Sequence, residues 1–289
     1  MSDLAAALVD ALVDAGVDTV LGIPGTHNLP LFAALRERGV RVVVPRHEQG
    51  AAYAADAYAR VSGRLGVVVT TTGPGALNAA AGLAQAWSDS SPVLLVAPGM
   101  PTTKPQASTG MLHEMRDQFA AMSACADRGV VVRTPEQARA AVAGVLAQAR
   151  DGRPRPWYVE LPLDLLAAPP QGPSGSVAPG PDDLRVPAGR DEPDVDLVGR
   201  AAQLLAAAQR PVIVAGGGAR SAPDDLTMLA EALGAPVLTS VNGRGTVPES
   251  HPASLGATLH LASTHALLAQ ADAVLVVGCE LAESDTWSP

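Results

Sequence analysis

The sequence is poor in the residue types that build disulfide-rich, aromatic-rich or lysine-dependent proteins. Its two cysteines, Cys125 and Cys279, form no CxxC pair, so they offer neither a disulfide framework nor zinc-ligand spacing. Aromatic residues make up 3% of the chain, which favours cores of Ala, Val and Leu over an aromatic-rich β-sandwich. Lys104 is the single lysine. A Schiff-base mechanism would depend on it and is disfavoured, because Lys104 lies in a segment expected to be an exposed loop.

Positive charge and long apolar runs are also scarce. The chain has 20 Lys and Arg against 29 Asp and Glu, which gives a net charge of −9. Such a surface repels phosphate backbones, and the sequence contains no basic run, so nucleic-acid binding is not expected. No stretch reaches the ~18 apolar residues of a membrane span, and no basic segment precedes the first apolar residues. We therefore expect a cytoplasmic protein that binds neither nucleic acid nor membrane.

The sequence does contain a regular alternation of Val-rich strand patterns and Ala-rich helix patterns. In the first part of the chain, strands are predicted at 19–22, 41–44, 66–71, 92–97 and 157–161. The helices between them are predicted at 4–15, 29–38, 47–62, 76–87 and from 135 onward. Strands that alternate with helices of roughly 10–15 residues indicate βαβ units and a parallel sheet.

A Pro, Gly and Ser-rich stretch at 167–191 predicts a linker between two domains. The segment that follows, 192–289, predicts helices at 195–208 and 225–233 and strands at 211–215, 236–238 and 273–277. Three strands are fewer than the about five or six of a doubly wound domain. We thus expect an α/β protein of two doubly wound parallel-sheet domains, 1–166 and 192–289, of which the second is incomplete.

Three predicted strands of the first domain are followed by unusual segments. Gly22 to Pro30 is rich in Gly and Pro, Glu48 follows the buried strand predicted at 41–44, and Thr72 to Asn78 forms a Gly-rich turn into a helix. Ligands bind at the carboxyl ends of strands in open α/β sheets, and a Gly-rich turn at a helix N-terminus can cradle a phosphate. Glu48 alone also has a structural interpretation, since the helix dipole favours a glutamate in the first turn. The ligand-site interpretation therefore rests on the three segments together.

Other motifs carry weaker signals. Gly216 to Gly218 follow a predicted strand, but Ser221 stands where a dinucleotide fingerprint has its third glycine, so a structural turn is favoured over a nucleotide site. The six histidines form no HExxH motif, and no GxSxG elbow occurs. His27 and His113 lie in loops expected near the strand ends and are candidates for substrate contact, whereas His47 is expected to pack or to cap a helix.

Taken in order, five motifs resemble thiamine-diphosphate-dependent enzymes of the acetolactate synthase and 2-oxo acid decarboxylase family. They are Gly22-Ile-Pro-Gly-Thr-His-Asn-Leu-Pro30, Arg46-His-Glu-Gln-Gly-Ala51, Thr71-Thr-Gly-Pro-Gly-Ala-Leu-Asn78, Ser90-Ser-Pro-Val93 and Tyr158-Val-Glu-Leu-Pro-Leu-Asp164. The resemblance assigns residues 1–166 to the pyrimidine-binding domain and residues from 192 to the central domain. The segment Ser108 to Gln118 is closer to the guanidino-oxopentanoate decarboxylase branch.

The resemblance implies a role for Glu48. In this family the matching glutamate hydrogen-bonds the aminopyrimidine of thiamine diphosphate, and the cofactor then acts as the electron sink when a 2-oxo acid loses CO₂. It also implies that the aminopyrimidine is lined by Pro24, Gly25, Thr72, Gly73 and Asn78. Two further residues, His27 and Gln118, match positions on the substrate side, and His113 stays a candidate catalytic residue from its expected loop position.

One departure from the family pattern concerns the diphosphate. The family holds Mg²⁺ and the diphosphate on a third domain with a Gly-Asp-Gly…Asn-Asn motif, and no Gly-Asp-Gly occurs in residues 1–289. We expect no metal ligands in this chain and a split enzyme, in which a partner subunit supplies the Mg²⁺-binding domain. A fragment, a non-catalytic regulatory or scaffolding relative, and a simple 2-oxo acid decarboxylase are the alternatives. Because the family's active site lies between subunits, a homo- or hetero-oligomer is expected.

Overall fold

The computed structural model describes residues 3–103, 108, 110–168 and 192–287. The chain divides into two compact units, Met1–Asp191 and Glu192–Pro289, and each is α/β with one parallel sheet. Lys104 and most of the predicted linker lie outside the described residues. Within the described part of the chain, no helix is both long and apolar enough to cross a membrane.

The described residues of the first unit alternate between strands and helices. Its strands are β1 (Thr19–Gly22), β2 (Arg41–Val43), β3 (Gly66–Val69), β4 (Val93–Gly99), β5 (Arg128–Val131) and β6 (Trp157–Pro162). Its helices are α1 (Asp3–Asp14), α2 (Leu29–Glu37), α3 (Glu48–Ser62), α4 (Pro74–Ser88), α5 (Gln118–Ser123), α6 (Pro135–Asp151) and α7 (Leu163–Ala167).

The six strands form one parallel sheet in the order β2-β1-β3-β4-β6-β5. Helices cover both faces: one core contains residues of α1, α2, α6 and α7, and the other contains residues of α3, α4 and α5. Strands buried on both faces are continuous hydrophobic runs, which explains why β3 and β4 were recognisable as Val and Leu runs with every residue buried.

The parallel strand predicted at 41–44 is present as β2, but the prediction that it is buried was wrong. β2 is the edge strand of the sheet, Arg41 is exposed, and Val44 lies beyond the strand with 57% of its surface exposed. An edge strand has a neighbour on one side only, so its apolar residues are covered less completely than those of β3. The elements α5, β5 and α7 were not predicted, because each is six residues or shorter and shows little periodicity.

Two capping signals in the sequence are confirmed. His47 is the N-cap of α3, and its Nδ1 accepts a hydrogen bond from the Gln49 backbone N–H at 3.2 Å. Gly63 ends the same helix in the left-handed region, with φ +70°. These two residues fix both ends of α3, and the N-cap places Glu48 at the first position of the helix.

The second unit contains four parallel strands in the order β10-β7-β8-β9: β7 (Pro211–Ala215), β8 (Val237–Thr239), β9 (Ser254–Gly256) and β10 (Ala273–Val277). Its helices are α8 (Val195–Ala207), α9 (Pro223–Leu233), α10 (Ala262–Gln270) and α11 (Glu283–Thr286), with a 3-10 helix at Gly217–Ser221. The expectation of three strands is corrected to four, because β9 has three residues and no strand pattern.

The Gly216 to Gly218 turn packs against the end of β10. Gly216 N–H donates to the Val277 carbonyl at 2.8 Å, and Gly218 N–H donates to the Gly278 carbonyl at 3.0 Å. A Cβ at Gly218 would lie 2.9 Å from the Gly278 Cα. The glycines therefore allow two backbone segments to approach closely, which supports the structural interpretation of this turn.

Candidate active site

The loops after β1, β3 and β4 meet at the carboxyl edge of the first sheet, because parallel strands end at the same edge. The β1 loop is closed by Asn28, which is completely buried. Its Oδ1 accepts a hydrogen bond from the Gly25 N–H at 2.7 Å, and its Nδ2 donates to the Ile23 carbonyl at 3.0 Å. Gly25 can then approach Thr71, whose side chain would lie 3.1 Å from a Cβ at this position.

Glu48 lies at this edge and is partly buried. Its Oε2 accepts a hydrogen bond from Asn78 Nδ2 at 3.0 Å, and its Oε1 would lie 3.4 Å from a Cβ at Gly75. The two residues meet because α3 and α4 pack closely: a Cβ at Gly82 would lie 2.5 Å from the Ala52 Cβ. Small residues at this helix contact thus bring the first turns of α3 and α4 together.

Gly73 precedes α4 in a backbone conformation that L-residues rarely adopt, with φ +62° and ψ −113°. A Cβ here would collide with the His113 carbonyl, so only glycine fits the turn. The neighbouring Thr72 is fully buried. Its Oγ1 lies 2.8 Å from His27 Nδ1, within hydrogen-bonding distance. The turn therefore contacts the β1 loop through Thr72 and His27 and lies against the loop that carries His113.

His27 and His113 are neighbours, with ring centroids 6.0 Å apart and the rings inclined by 71°. Burial, and next the nearby His113 ring, hold the pKa of His27 below its ordinary value. Three buried polar atoms around this edge have no hydrogen-bond partner among the described residues: Thr70 Oγ1, Thr71 Oγ1 and His113 Nδ1. Leaving such atoms unpaired costs free energy.

The lowered pKa of His27 predicts a pH dependence of stability. His27 binds a proton more readily in the unfolded chain than in the folded chain. The contribution of neutral His27 to the free energy of unfolding is therefore complete above the ordinary histidine pKa, and it is lost as the pH falls through the pKa of His27 in the folded chain. We expect the free energy of unfolding to fall more steeply in wild type than in His27→Gln between about pH 7.5 and about pH 5.5. Urea unfolding at each pH measures this. The exposed residue His265 provides the control variant His265→Gln, and equal slopes for wild type and His27→Gln would contradict the prediction.

Gln118 lies beneath the Gly73 turn and not at the surface of the site. Its side chain is 7% exposed, and its Oε1 accepts a hydrogen bond from the Gly73 N–H at 2.5 Å. Its Nε2 faces the Pro98 carbonyl, Tyr158 Oη and Glu160 Oε2. Both ends of this amide are therefore engaged by the protein, which favours a supporting position over a contact with substrate.

The nine predicted site residues come together at this one edge. Contacts join Gly25, His27, Glu48, Thr72, Gly73, Asn78, His113 and Gln118, and Pro24 precedes Gly25 in the same turn. Sequence reasoning missed Thr71, Tyr158, Glu160 and the side chain of Asp164. Thr71 belongs to a predicted strand and the other three to the motifs of the family resemblance. Nothing in the sequence indicated that Thr71 and Asp164 lie beside the site, or that Tyr158 and Glu160 contact Gln118 behind the Gly73 turn. Among the described residues no group of three or more His, Cys, Asp or Glu is placed to hold a metal ion.

A cleft of about 350 Å³ adjoins the site on the side of α2 and α7. His27 lines it together with Pro30, Met111, Leu163 and Asp164. Thr102 donates two hydrogen bonds to the Asp164 carboxylate, from its N–H at 3.0 Å and from its hydroxyl at 2.5 Å. Burial opposes ionisation of Asp164, but the hydrogen bonds from Thr102 outweigh it and lower the pKa of the carboxyl. The cleft thus presents an anion among apolar walls.

Comparison with protein families gives two matches. Residues 2–121 match the thiamine pyrophosphate enzyme N-terminal TPP-binding domain, and residues 198–289 match the central domain of the same enzymes. The chain belongs to the thiamine pyrophosphate enzyme family. The resemblance inferred from the five sequence motifs is therefore confirmed.

Relatives in this family have two kinds of described activity. A probable 2-ketoarginine decarboxylase of Pseudomonas aeruginosa is 43% identical over 97% of this chain and 49% of its own length. A probable acetolactate synthase large subunit of Methanocaldococcus jannaschii is 33% identical over 98% of this chain and 48% of its own length. The isozyme 2 large subunit of acetolactate synthase from Escherichia coli is 35% identical over 86% of this chain and 44% of its own length. The chain spans about half the length of the curated relatives it matches.

Proposed function

We propose that this chain provides the aminopyrimidine half of a thiamine-diphosphate-dependent enzyme, one that decarboxylates a 2-oxo acid and then ligates or releases the acyl or aldehyde unit. The observation that carries the proposal is the position of Glu48, a carboxylate at the carboxyl edge of a parallel sheet, held by Asn78 beside the Gly73-Pro74-Gly75 turn. The bound cofactor supplies the electron sink that accepts the electron pair left when CO₂ departs.

The chemistry of the site fits the aminopyrimidine, a flat ring with hydrogen-bonding nitrogens. Glu48 would share a proton with a ring nitrogen: the carboxylic acid donates to the nitrogen, and once the proton has moved the carboxylate accepts from the N–H. A charge-assisted bond of this kind is roughly twice as strong as a neutral one. Pro24, Gly25, Thr72, Gly73 and Asn78 lie at the same edge. His27 and His113 would face the substrate.

We further propose that the diphosphate and Mg²⁺ are bound by protein outside residues 1–289, on a partner subunit, in an oligomer that completes the site. Mg²⁺ prefers oxygen ligands together with substrate phosphates, and the described residues hold no acidic cluster for it. Measuring the intact mass of the polypeptide purified from its source tests the split. A mass near 29.3 kDa with a co-purifying Gly-Asp-Gly protein supports it, and a single polypeptide of about twice that mass overturns it.

A simple decarboxylase of a guanidino 2-oxo acid is the second candidate, because Asp164 places a carboxylate in the cleft beside His27. The apolar walls suit a methylene chain, and a carboxylate suits a guanidinium group, which it can bind through two parallel hydrogen bonds. The relative with 43% identity, a probable 2-ketoarginine decarboxylase, is consistent with this candidate.

One assay tests both candidates. The chain is combined with the Gly-Asp-Gly polypeptide, thiamine diphosphate and Mg²⁺, and CO₂ release is measured from pyruvate and from a guanidino 2-oxo acid. We expect release from at least one acid. If the guanidino acid is preferred, Asp164→Asn should lower kcat/KM for it by about tenfold to a hundredfold and leave pyruvate turnover unchanged. No CO₂ from any 2-oxo acid would contradict both candidates and favour a non-catalytic relative.

A further inference from the structure

A buried group of polar side chains lies directly below the Gly73 turn and has no role in the function proposed above. It consists of Gln118, Tyr158 and Glu160, which we call the Gln118 network. Tyr158 is completely buried, and its hydroxyl donates to Glu160 Oε2 at 2.6 Å. Gln118 Nε2 lies 2.8 Å from Tyr158 Oη and 3.1 Å from Glu160 Oε2. Buried polar groups of this kind are stable only when their partners are in place.

The orientation of the Gln118 amide is determined by its partners. The Gly73 N–H is a donor, so the atom that faces it must be the amide oxygen, at 2.5 Å. Nε2 then points to acceptors, namely the Pro98 carbonyl at 2.8 Å and the Tyr158–Glu160 pair. A reversed amide would place a donor against the Gly73 N–H. The network therefore allows one orientation.

The strand register explains why these groups meet. Tyr158 and Glu160 are two residues apart on β6, so their side chains lie on the same face of the sheet, the face that α3, α4 and α5 cover. Glu160 pairs with Ala97 of the adjacent β4, next to Pro98. Gly99 leaves room for the carboxylate, since a Cβ there would collide with it. Burial raises the pKa of both Tyr158 and Glu160, so Tyr158 stays protonated as a donor.

The Gly73 N–H links the network to the candidate active site. Gly73 is the N-cap of α4 and, as a glycine, has no side chain that could cap the helix. The Gly73 carbonyl accepts the first helical hydrogen bond, from the Leu77 N–H at 2.9 Å. Asn78, which holds Glu48, follows in the next position. The direction in which α4 starts therefore determines where Asn78 meets Glu48.

We propose that Tyr158 and Glu160 are positioning residues: through Gln118 they hold the Gly73 turn and the start of α4, and so keep Asn78 against Glu48. The expected effect on the affinity for thiamine diphosphate rests on the proposed function, whereas the expected effect on the positions of Gly73 and Asn78 does not. Neither residue touches the reacting groups, so the effect should appear as a displaced contact and a weaker cofactor affinity, with kcat less affected.

The test uses Tyr158→Phe, which keeps the ring and removes the hydroxyl, and Glu160→Gln, which keeps the shape and removes the charge. Tyr58→Phe is the matched control, since Tyr58 lies at the other end of α3, beside Arg64 and Gly63. In the 289-residue chain, NMR follows hydrogen exchange of the Gly73 amide and the side-chain amide resonance of Asn78. We expect about tenfold faster exchange and a shifted Asn78 resonance in both variants, with no change in Tyr58→Phe.

In the reconstituted enzyme, the half-saturating concentration of thiamine diphosphate is expected to rise about tenfold in the same two variants. Unchanged Gly73 exchange and an unchanged Asn78 resonance in folded Tyr158→Phe and Glu160→Gln would overturn the proposal. NMR changes with an unaltered cofactor requirement in an active enzyme would also overturn it, since the network would then be structural only. If wild type shows no turnover at all, the proposed function fails, and the NMR results still decide whether the network positions Asn78.

Discussion

Glu48→Gln is expected to lower the turnover of the reconstituted enzyme by about 10²–10⁴-fold, the usual contribution of a positioned general acid or base. The glutamine keeps the size of the side chain and retains an oxygen that can accept the hydrogen bond from Asn78 Nδ2, now 3.0 Å from Glu48. What it loses is the negative charge and the ability to hold a proton. The loss should therefore fall on the chemical step, and the urea-unfolding midpoint should stay close to that of wild type.

Glu136→Gln is the matched control for this variant. Glu136 also lies in the first turn of a helix, α6, where it pairs with Arg139 at the surface. Its substitution removes the same charge from an equivalent helix position, so any general effect of the helix dipole appears in both variants. Turnover of Glu48→Gln equal to that of Glu136→Gln would contradict the assignment of Glu48 and restore its interpretation as an ordinary first-turn glutamate.

Gly73→Ala is expected to destabilise the first unit by about 2–4 kcal/mol and to abolish turnover. Its φ of +62° and ψ of −113° are rarely accessible to alanine, and the added Cβ would collide with the His113 carbonyl, a backbone atom that cannot rotate away. The turn must then move, and with it the hydrogen bond to Gln118 and the start of α4. Urea unfolding followed by tryptophan fluorescence measures the stability, and CO₂ release measures the activity.

Gly63→Ala is the control that shows how much of the destabilisation comes from the left-handed backbone conformation and how much from the collision of the new Cβ with the His113 carbonyl. Gly63 also has a positive φ, +70°, but a Cβ there meets no atom within 4 Å. Alanine at this position should cost only about 1 kcal/mol, the penalty of the left-handed conformation, and should leave turnover unchanged. If Gly73→Ala proved no more destabilising than Gly63→Ala, the inference that the His113 carbonyl excludes a side chain at position 73 would be contradicted.

Much of the architecture was predictable because periodicity reflects burial. The runs that became β3 and β4 are apolar on both faces, and the helices between strands carry small apolar residues at regular spacing. The prediction of burial was wrong for β2, which is an edge strand. The strand β9 was missed, because it has three residues with no alternation. Neither position along the chain nor composition indicates which strand will lie at an edge.

The candidate site was predicted in part for a simple reason. Parallel strands end at a common edge, so the residues that follow β1, β2 and β3 were expected at the same edge. Gly25, Glu48 and Gly73 could thus be placed at that edge from the sequence, and they lie close together because the three strands are neighbours in the sheet. Gln118 was expected to face the substrate, and its burial depends on β6 lying next to β4, with β5 at the edge of the sheet.

The sequence by itself determined the α/β class, the parallel sheets and the family, since these depend on local periodicity and on motifs that survive as continuous strings of residues. Only the tertiary structure decided what each polar side chain touches. Tyr158 and Glu160 sit in what looks like an ordinary buried strand, and they become a support for the Gly73 turn through contacts across 40 or more residues. The Gly216 to Gly218 turn resembles a nucleotide-binding loop in sequence, but it packs against Gly278. Both findings have one physical reason. Hydrogen bonds between distant segments depend on how the strands pair, and the order of residues does not specify that pairing.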